Sequence, residues 1–224
     1  MFSANIAFLN HDKQNLLHDS TILIAGMGGL GCVVAQNLVR LGIGKLIILD
    51  YDTIAESNLN RQILFTKEDI GKQKVDIASK KLEEITGFTK IIPIKCRITS
   101  TESLHQELSE HDYIGIADCL DNYESRYILE DILEPEQFLV HGGVMNDFGQ
   151  ITTIMKDFTI SLKELYKDQQ IVHQQIPIIP QTVFTIASLM SHEIMNNILG
   201  TPQLLNKLLI TELSDFSMSK ITLQ

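Results

Sequence analysis

Residues 21–31, with the sequence TILIAGMGGLG, decide the fold that this chain is expected to adopt. The first five form an apolar run of the kind that is buried on both faces of a parallel sheet, which predicts a strand. The next six satisfy the pattern G-x-G-x-x-G with Gly26, Gly28 and Gly31, and apolar residues then recur at helical spacing as far as Leu41. The stretch therefore predicts a strand, a glycine-rich turn and a helix in direct succession.

A second strand follows this helix and ends on an acidic residue. Gly42 and Gly44 provide the helix stop, and residues 46–50, LIILD, end at Asp50. Glycines in such a turn let the backbone approach a nucleotide, and the helix N-terminus presents free N–H groups and a partial positive charge. The pattern therefore indicates a nucleotide site, and on this motif alone an NAD-dependent dehydrogenase is the leading interpretation. A tight turn that packs a helix onto a sheet without any ligand remains the alternative.

The remaining sequence continues to alternate, with helices predicted over 75–85 and 123–133 and strands over 90–95, 112–117 and 138–141. It then changes character: antiparallel strands are predicted over 149–155, 208–210 and 218–223, and a helix that is apolar nearly all round over 183–199. We therefore expect an α/β fold, with a single Rossmann-like doubly wound and mostly parallel sheet to which antiparallel strands are added toward the C-terminus. Residues 1–224 are expected to form one domain, with 1–20 as an N-terminal segment.

The composition excludes several classes of protein. Among 224 residues, 18 Lys and Arg stand against 28 Asp and Glu, so the net charge is −10 and binding to nucleic acid or to an anionic membrane is not expected.

Three separated cysteines include no C-x-x-C pair, which predicts no disulfide framework and no structural zinc site and fits a cytoplasmic protein. Residues 1–20 lack the pattern of a signal peptide. Residues 169–192 are formally uncharged but carry glutamines and prolines, so a protein interior or an interface is expected there rather than a membrane span.

Several further motifs follow the glycine turn in order along the chain. They are DYD at 50–52, SNLNRQ at 57–62, GKQK at 71–74 and DCLDN at 118–122, and much of this set lies in an unusually long loop. A dehydrogenase has no need of an Arg and a Lys beside its second strand. Together with the glycine turn, these motifs resemble the ThiF/MoeB/HesA family, the bacterial relatives of the ubiquitin-activating enzymes. Residues 62–70, QILFTKEDI, look closest to the ThiF branch.

The resemblance implies an enzyme that uses ATP and Mg²⁺ to adenylate the C-terminal glycine carboxylate of a small ubiquitin-like sulfur-carrier protein ending in Gly-Gly. Such a reaction would serve thiamine or molybdopterin synthesis or a related sulfur transfer. A C-terminal carboxylate, with a pKa of about 3.5, is ionised at neutral pH and can attack the α-phosphate without a general base. The implied catalytic residues are Arg61, Lys74 and Asp121. The implied nucleotide-binding residues are Gly26, Gly28, Gly29, Gly31, Asp50, Asp52, Asn58, Arg61, Gln62, Lys74, Asp121 and Asn122.

Individual roles follow from the same resemblance: Gly29 lies against the nucleotide, Asp50 binds the ribose hydroxyls, Asn58, Arg61 and Lys74 contact the phosphates, and Asp121 holds Mg²⁺ beside Asn122. Three of these assignments have plain structural alternatives. Arg61 could be a solvated loop cation, and Lys74 could be a surface residue of a helix, since exposure is the commonest state of lysine. The pair Asp121-Asn122 could also cap the helix that follows, a role that does not exclude metal binding.

Two features of the family pattern are missing from this chain. Residues 157–180, which correspond to the crossover loop of the family, contain no cysteine, so we expect neither a zinc site nor a thioester step through this loop. The N-terminal arginine that many relatives lend to the neighbouring subunit is also missing, because the first arginine is Arg40; Lys13 is a hypothetical substitute. Family members are usually dimers, so a homodimer is expected. Adenylation of a peptide or small-molecule carboxylate and a non-catalytic ATP-binding role stay open as alternative functions.

Two residues beside these motifs could take part in chemistry. Cys119 lies between Asp118 and Asp121, whose carboxylates should raise the pKa of its thiol, so we expect a packed side chain rather than a nucleophile. His141 either borders the nucleotide or is a structural histidine at the end of a strand.

Overall fold

Eight strands form one sheet in the computed structural model, which describes residues 1–167 and 177–223. The strands in chain order are β1 Thr21–Ala25, β2 Lys45–Leu49, β3 Lys90–Ile94, β4 Gly115–Asp118, β5 Phe138–Met145, β6 Phe148–Met155, β7 Lys207–Glu212 and β8 Ser217–Thr222. The α-helices are α1 Ser3–Leu9, α2 His11–His18, α3 Gly29–Leu41, α4 Lys74–Thr86, α5 Thr101–Leu108, α6 Tyr123–Asp131, α7 Leu162–Leu165 and α8 Pro180–Ile198.

The order of strands across the sheet is β3-β2-β1-β4-β5-β6-β7-β8. Neighbours from β3 to β5 are parallel, whereas β6, β7 and β8 extend the sheet by antiparallel pairing. This arrangement confirms the predicted α/β fold with antiparallel strands toward the C-terminus. The order reverses between β1 and β4, and ligands of such sheets bind at the carboxyl ends of the strands at this switch point.

Helices cover both faces of the parallel part of the sheet. Ile22 and Ile24 of β1 pack into one core with helices α3, α4 and α8, whereas Leu23 and Ala25 pack into a second core with α5, α6 and Tyr166. Alternate residues of the strand therefore serve opposite cores. For this reason the strand is apolar along its length instead of alternating with polar residues.

Helix α8 is central, as its apolar sequence predicts, and packs against α3, β5 and β6. It begins at Pro180, three residues before the predicted start, because proline suits the first turn of a helix, where its missing N–H needs no partner. Residues 169–176 of the uncharged segment lie outside the described residues. Among the described helices, none is both long and apolar enough to cross a membrane.

The sequence patterns missed helices α1, α2 and α5 and underestimated β5. Helix α2 is mostly exposed and polar, whereas α1 and α5 are short helices that bury only Leu9 and only Leu104 and Leu108, which are too few apolar positions to give a repeating pattern. Strand β5 runs to Met145 rather than ending near residue 141. Gly142 interrupts the apolar pattern there, but it is needed because a Cβ at this position would lie 2.2 Å from the sulfur of Met190.

Helix α2, which carries Lys13, packs at the amino ends of the strands. Gln14 Nε2 donates a hydrogen bond to the carbonyl of Leu41 (2.9 Å), and the N–H of Gly44 donates to the carbonyl of Leu17 (3.2 Å). The glycine turn lies at the other end of β1, about 15 Å away for a strand of this length. If Lys13 replaces the missing arginine, it must therefore serve the site of a partner subunit, and this role stays a hypothesis.

The buried carboxylate of Glu193 is predicted to be a major contributor to stability. Only 3% of this residue is exposed, and Oε1 accepts hydrogen bonds from the N–H groups of Gln203 (2.7 Å) and Leu204 (2.8 Å) and from Thr153 Oγ1 (3.1 Å). Glu193→Ala removes the acceptor of all three donors, of which those of Thr153 and Leu204 are buried, so the free energy of unfolding in urea should fall by about 3 kcal/mol or more. Glu84 of α4 is exposed, so Glu84→Ala is the control and should change the free energy of unfolding by less than about 0.5 kcal/mol. Equal effects of the two substitutions would contradict this role for Glu193.

Candidate nucleotide-binding site

The glycine turn connects the carboxyl end of β1 to the N-terminus of α3. Gly26 has a φ of +92°, which strongly favours glycine, and Gly28 is the N-cap residue of α3. A Cβ on Gly31 would lie 1.9 Å from the carbonyl oxygen of Gly26, so the helix can approach the strand this closely only with glycine here. The first residues of α3 therefore point their free N–H groups into the switch-point region, as an anion site requires.

The carboxylate of Asp50 is bonded to this turn. Oδ2 accepts a hydrogen bond from the N–H of Met27 (2.7 Å), and Oδ1 accepts one from the N–H of Asp52 (2.8 Å). Burial raises the pKa of Asp50 above its ordinary value, against the opposing effects of the Lys74 charge and the two backbone hydrogen bonds. The acid predicted at the end of β2 thus lies directly beside the glycine turn.

The long loop after β2 is closed at its base by backbone hydrogen bonds. The N–H of Ile54 donates to the carbonyl of Lys72 (2.9 Å), and the N–H of Gly71 donates to the carbonyl of Ile54 (2.8 Å). The N–H of Lys74 donates to the carbonyl of Asp52 (3.0 Å). These bonds bring the first residue of α4 back to the end of β2, although more than 20 residues separate them in sequence.

Lys74 is buried at this point. Only 5% of the residue is exposed, and its Nζ lies 2.8 Å from Asp52 Oδ2 and 4.0 Å from Asp50 Oδ2. The alternative interpretation of Lys74 as a surface residue is therefore wrong. A cation in the first turn of a helix is opposed by the helix dipole, and lysine is rarely buried without a specific partner. Such an ammonium group, held by two carboxylates beside a glycine turn, is typical of a functional site.

Arg61 lies on the other side of the turn. A Cβ on Gly29 would be 3.4 Å from Arg61 Cγ, so the arginine stem covers this glycine. The guanidinium Nη1 donates hydrogen bonds to the carbonyl of Ser57 (3.1 Å) and to Asn60 Oδ1 (2.8 Å). Arg61 is therefore placed against the glycine turn, with its guanidinium held by acceptors of its own loop.

Two neighbours of Arg61 have different environments. Asn58 caps its own loop, since Oδ1 accepts a hydrogen bond from the N–H of Ala55 (3.0 Å). Gln62 is 3% exposed, and its Nε2 would be 3.8 Å from a Cβ on Gly28. Its Oε1 is buried without a hydrogen-bond partner among the described residues. An orphaned polar atom beside the turn is the kind of group that a ligand can satisfy.

Asp121 and Asn122 follow β4 across the switch point. Asp121 is exposed, and its Oδ1 accepts a hydrogen bond from Asn122 Nδ2 (3.4 Å). Asn122 is the N-cap of α6, and its Oδ1 accepts from the N–H of Ser125 (2.9 Å), so the capping alternative is correct for this residue. Among the described residues, no hydrogen bond or ion pair joins Asp121 to Arg61 or Lys74. The loop nonetheless touches the turn, since a Cβ on Gly26 would lie 2.8 Å from the carbonyl oxygen of Cys119.

The two residues with uncertain roles are both buried. Burial, followed by the charge of Asp118, raises the pKa of Cys119 well above its ordinary value, which confirms the prediction of a packed side chain. His141 lies within β5 rather than at its end and is fully buried. Its ring bonds to Asp118 and Tyr166, so the structural alternative is the correct one. The sequence patterns missed this connection because the residues belong to three separate segments.

The donor set fits Mg²⁺ only as a companion of bound phosphates. Within residues 1–167 and 177–223, no group of three or more His, Cys, Asp or Glu side chains could hold a metal by itself. Mg²⁺ is commonly bound by one or two carboxylates together with substrate phosphates and water. The exposed carboxylate of Asp121 suits that arrangement. The predicted absence of zinc concerns a loop that lies partly outside the described residues and stays a prediction.

Two glycines of the turn are expected to respond differently to alanine. Gly31→Ala should severely destabilise the protein, because its Cβ would meet the backbone oxygen of Gly26 at 1.9 Å. At Gly29 the new Cβ would meet Val183 Cγ1 at 3.0 Å and Arg61 Cγ at 3.4 Å, which are side-chain atoms that can move. Gly29→Ala should therefore remain folded but bind ATP about tenfold more weakly. Circular dichroism and titration calorimetry check the two outcomes, and ATP binding to a folded Gly29→Ala with unchanged affinity would contradict the assignment of the turn.

Two curated proteins are similar to this chain in sequence. Molybdopterin-synthase adenylyltransferase of Escherichia coli is 38% identical over 142 residues, which cover 63% of this chain and 56% of that protein. SAMP-activating enzyme E1 of Haloferax volcanii is 31% identical over 147 residues, which cover 65% of this chain and 53% of that protein. The chain thus spans about half the length of these relatives.

A solved structure and a family model extend the similarity to nearly the whole chain. The crystal structure of Escherichia coli MccB with ATP matches with a TM-score of 0.81 at 20% identity, covering 94% of this chain and 65% of that chain, which shows the shared fold. Residues 2–224 match the model of the ThiF family. The resemblance inferred from the sequence motifs is therefore confirmed, and the chain belongs to the ThiF family.

Proposed function

We propose that this protein is an ATP-dependent adenylyltransferase that activates the C-terminal glycine carboxylate of a small ubiquitin-like sulfur-carrier protein. Membership of the ThiF family supports the proposal, as do the names of two relatives. One is named for adenylyl transfer and the other for activating SAMP. Whether the product serves thiamine synthesis, molybdopterin synthesis or a related sulfur transfer is a question of which carrier it accepts.

The observation that carries the proposal is the buried ammonium of Lys74. It lies 2.8 Å from Asp52 and 4.0 Å from Asp50, and Asp50 is bonded to the glycine turn at Met27. A cation at the carboxyl end of the sheet beside free helix N–H groups suits a polyphosphate.

The chemistry asks the protein mainly to hold charges in place. An ionised carboxylate attacks the α-phosphate of ATP, an acyl-adenylate forms, and pyrophosphate leaves. Lys74 and Arg61 would offset the charge that develops on the phosphate oxygens, and Asp50 would hold the ribose hydroxyls. Mg²⁺, held by Asp121 and the phosphates, would supply further positive charge to the leaving pyrophosphate.

The edge strand β8 is the proposed docking site for the carrier. All six residues from Ser217 to Thr222 are exposed, and β8 pairs only with β7 among the described strands. Phe216, which directly precedes β8, is 88% exposed, and Met218 within the strand is 55% exposed. A free strand edge with neighbouring apolar side chains suits addition of an extended segment or a strand from a partner. Since the chain carries a net charge of −10, an acidic carrier would be recognised by such local contacts rather than by long-range attraction.

The decisive experiment is ATP–pyrophosphate exchange with purified carriers. Exchange should require a carrier that ends in Gly-Gly, and a carrier truncated by its last two residues should be inactive. Arg61→Ala and Lys74→Met should each lower the exchange rate about 100-fold or more, because each removes a cation from the phosphates. Lys67→Ala is the matched control, since Lys67 is an exposed lysine of the same loop, and it should exchange at the wild-type rate.

Other outcomes would replace the proposal. Exchange with a peptide or a small carboxylic acid in the absence of any carrier would assign a different acceptor to the same ATP site. Tight ATP binding without exchange on any acceptor would indicate a non-catalytic member of the family. Sedimentation of the protein tests the expected homodimer. The residues assigned to the ATP site all belong to one chain, so that assignment does not depend on the oligomeric state.

A further inference from the structure

A buried chain of hydrogen-bonded side chains connects Tyr166 to the loop that carries Asp121. His141 Nδ1 lies 2.6 Å from Asp118 Oδ2, and His141 Nε2 lies 2.7 Å from the hydroxyl of Tyr166. Gln150 Nε2 bonds to the same hydroxyl. Asp118 and His141 are fully buried, and Tyr166 is 6% exposed. Together with Arg126, these residues form what we call the Asp118 network.

With a neutral His141 ring, the hydrogen atoms of the Asp118 network can be arranged in only one way. The Asp118 carboxylate can only accept, so His141 Nδ1 carries the proton and donates to it. His141 Nε2 is then an acceptor and takes the hydrogen bond from the Tyr166 hydroxyl, whose oxygen accepts from Gln150. Burial and the Arg126 charge lower the pKa of His141, which agrees with a neutral ring. Every group in this part of the network thus has a partner, and the tautomer of His141 is fixed by its neighbours.

The other end of the network holds one residue of the site loop by both of its backbone groups. Asp118 Oδ1 accepts a hydrogen bond from the N–H of Leu120 (3.1 Å), and Arg126 Nη2 donates to the carbonyl of Leu120. Arg126 Nη2 also donates to the carbonyl of Gly142 (3.1 Å), which fixes the guanidinium against β5. Leu120 immediately precedes Asp121 in sequence, so the position of the Asp121 carboxylate depends on this clamp.

Packing alone does not account for these residues. Burying Asp118, His141 and Arg126 is costly, and apolar side chains of similar size usually give equal or greater stability. Arg126 Nε makes no hydrogen bond among the described residues and lies 3.7 Å from Asp118 Oδ2, so only the charge of that carboxylate compensates its burial. A hydrogen-bonded polar network of this kind holds its side chains in one arrangement. The hydrogen-bond partners of metal ligands orient those ligands in the same way.

We propose that the Asp118 network positions the Asp121 carboxylate for Mg²⁺ bound with ATP, and that Tyr166 and Arg126 are positioning residues of this site. The proposal rests on the proposed function for the identity of the ligand. Its geometry is independent of that function, because the clamp on Leu120 exists in the free protein. Tyr166 stands at the far end of the chain of bonds, and the side chains of His141 and Asp118 and the backbone of Leu120 lie between it and Asp121.

Tyr166→Phe tests the proposal because it removes one hydroxyl and keeps the ring. His141 Nε2 then loses its donor, and the ring orientation that serves Asp118 is no longer fixed. Two readouts should change together: the Mn²⁺ affinity of the complex with a non-reactive ATP analogue, measured by electron paramagnetic resonance, and the Mg²⁺ concentration for half-maximal exchange. The Mn²⁺ affinity should fall about tenfold and the Mg²⁺ concentration for half-maximal exchange should rise about tenfold, as for other residues that orient metal ligands. Tyr127→Phe is the matched control, since Tyr127 stacks on Tyr123 and its hydroxyl bonds to no other described residue.

A double-mutant cycle separates positioning from general destabilisation. In an Asp121→Asn background, Tyr166→Phe should have no further effect on Mn²⁺ affinity, because the group that it positions has already been changed. Arg126→Lys, which keeps the charge but loses the paired contacts to Leu120 and Gly142, should reproduce the loss if Tyr166→Phe proves unstable.

The proposal would be overturned if Tyr166→Phe lowered the Mn²⁺ affinity equally in the wild type and in the Asp121→Asn background. It would also be overturned if both Tyr166→Phe and Arg126→Lys bound Mn²⁺ like the wild type. Failure of the proposed function would look different. In that case the wild type would show no exchange with any acceptor, while the Mn²⁺ measurement on the complex with the ATP analogue would still decide whether the network positions Asp121.

Discussion

The buried carboxylate of Asp50 is the interaction on which the site depends. It joins three separate parts of the chain: the glycine turn through the N–H of Met27, the start of the long loop through the N–H of Asp52, and helix α4 through Lys74. Burial raises the pKa of this carboxyl, so its charged form relies on those donors. Removing any one of them would raise the pKa of this carboxyl further, because all three stabilise its charged form.

This arrangement has a consequence for how a ligand would bind. In the free protein the charge of Lys74 is neutralised by Asp52, which is 46% exposed, and more distantly by Asp50, which is 8% exposed. A polyphosphate would compete with Asp52 for the ammonium group of Lys74. Asp52 is exposed enough for its carboxylate to turn toward water when the phosphate replaces it. The ion pair thus keeps Lys74 in position before the ligand arrives, and preorganised charge of this kind is what phosphoryl transfer requires.

Sequence patterns predicted the parts of the molecule that depend on local spacing. The strand, glycine turn and helix at residues 21–41 and the acid at Asp50 follow from spacing because each is built from neighbours in sequence. The burial of Lys74 could not be read from the sequence, since it depends on the loop returning to Asp52. The Asp118 network was missed for the same reason: its members come from β4, α6, β5, β6 and the end of α7, and only the fold brings them together. Weakly amphipathic helices such as α2 were missed because they bury few side chains.

A crystal structure with a non-reactive ATP analogue and Mg²⁺ tests most directly whether the glycine turn, Arg61, Lys74 and Asp121 form one nucleotide site. We expect the phosphates at the N-terminus of α3, with Arg61 and Lys74 within hydrogen-bond distance of phosphate oxygens, Lys74 released from Asp52, and Mg²⁺ between Asp121 and the phosphates. A nucleotide bound elsewhere, or bound here with Lys74 still paired to Asp52 and Asp121 far from the metal, would contradict the assignment of this site.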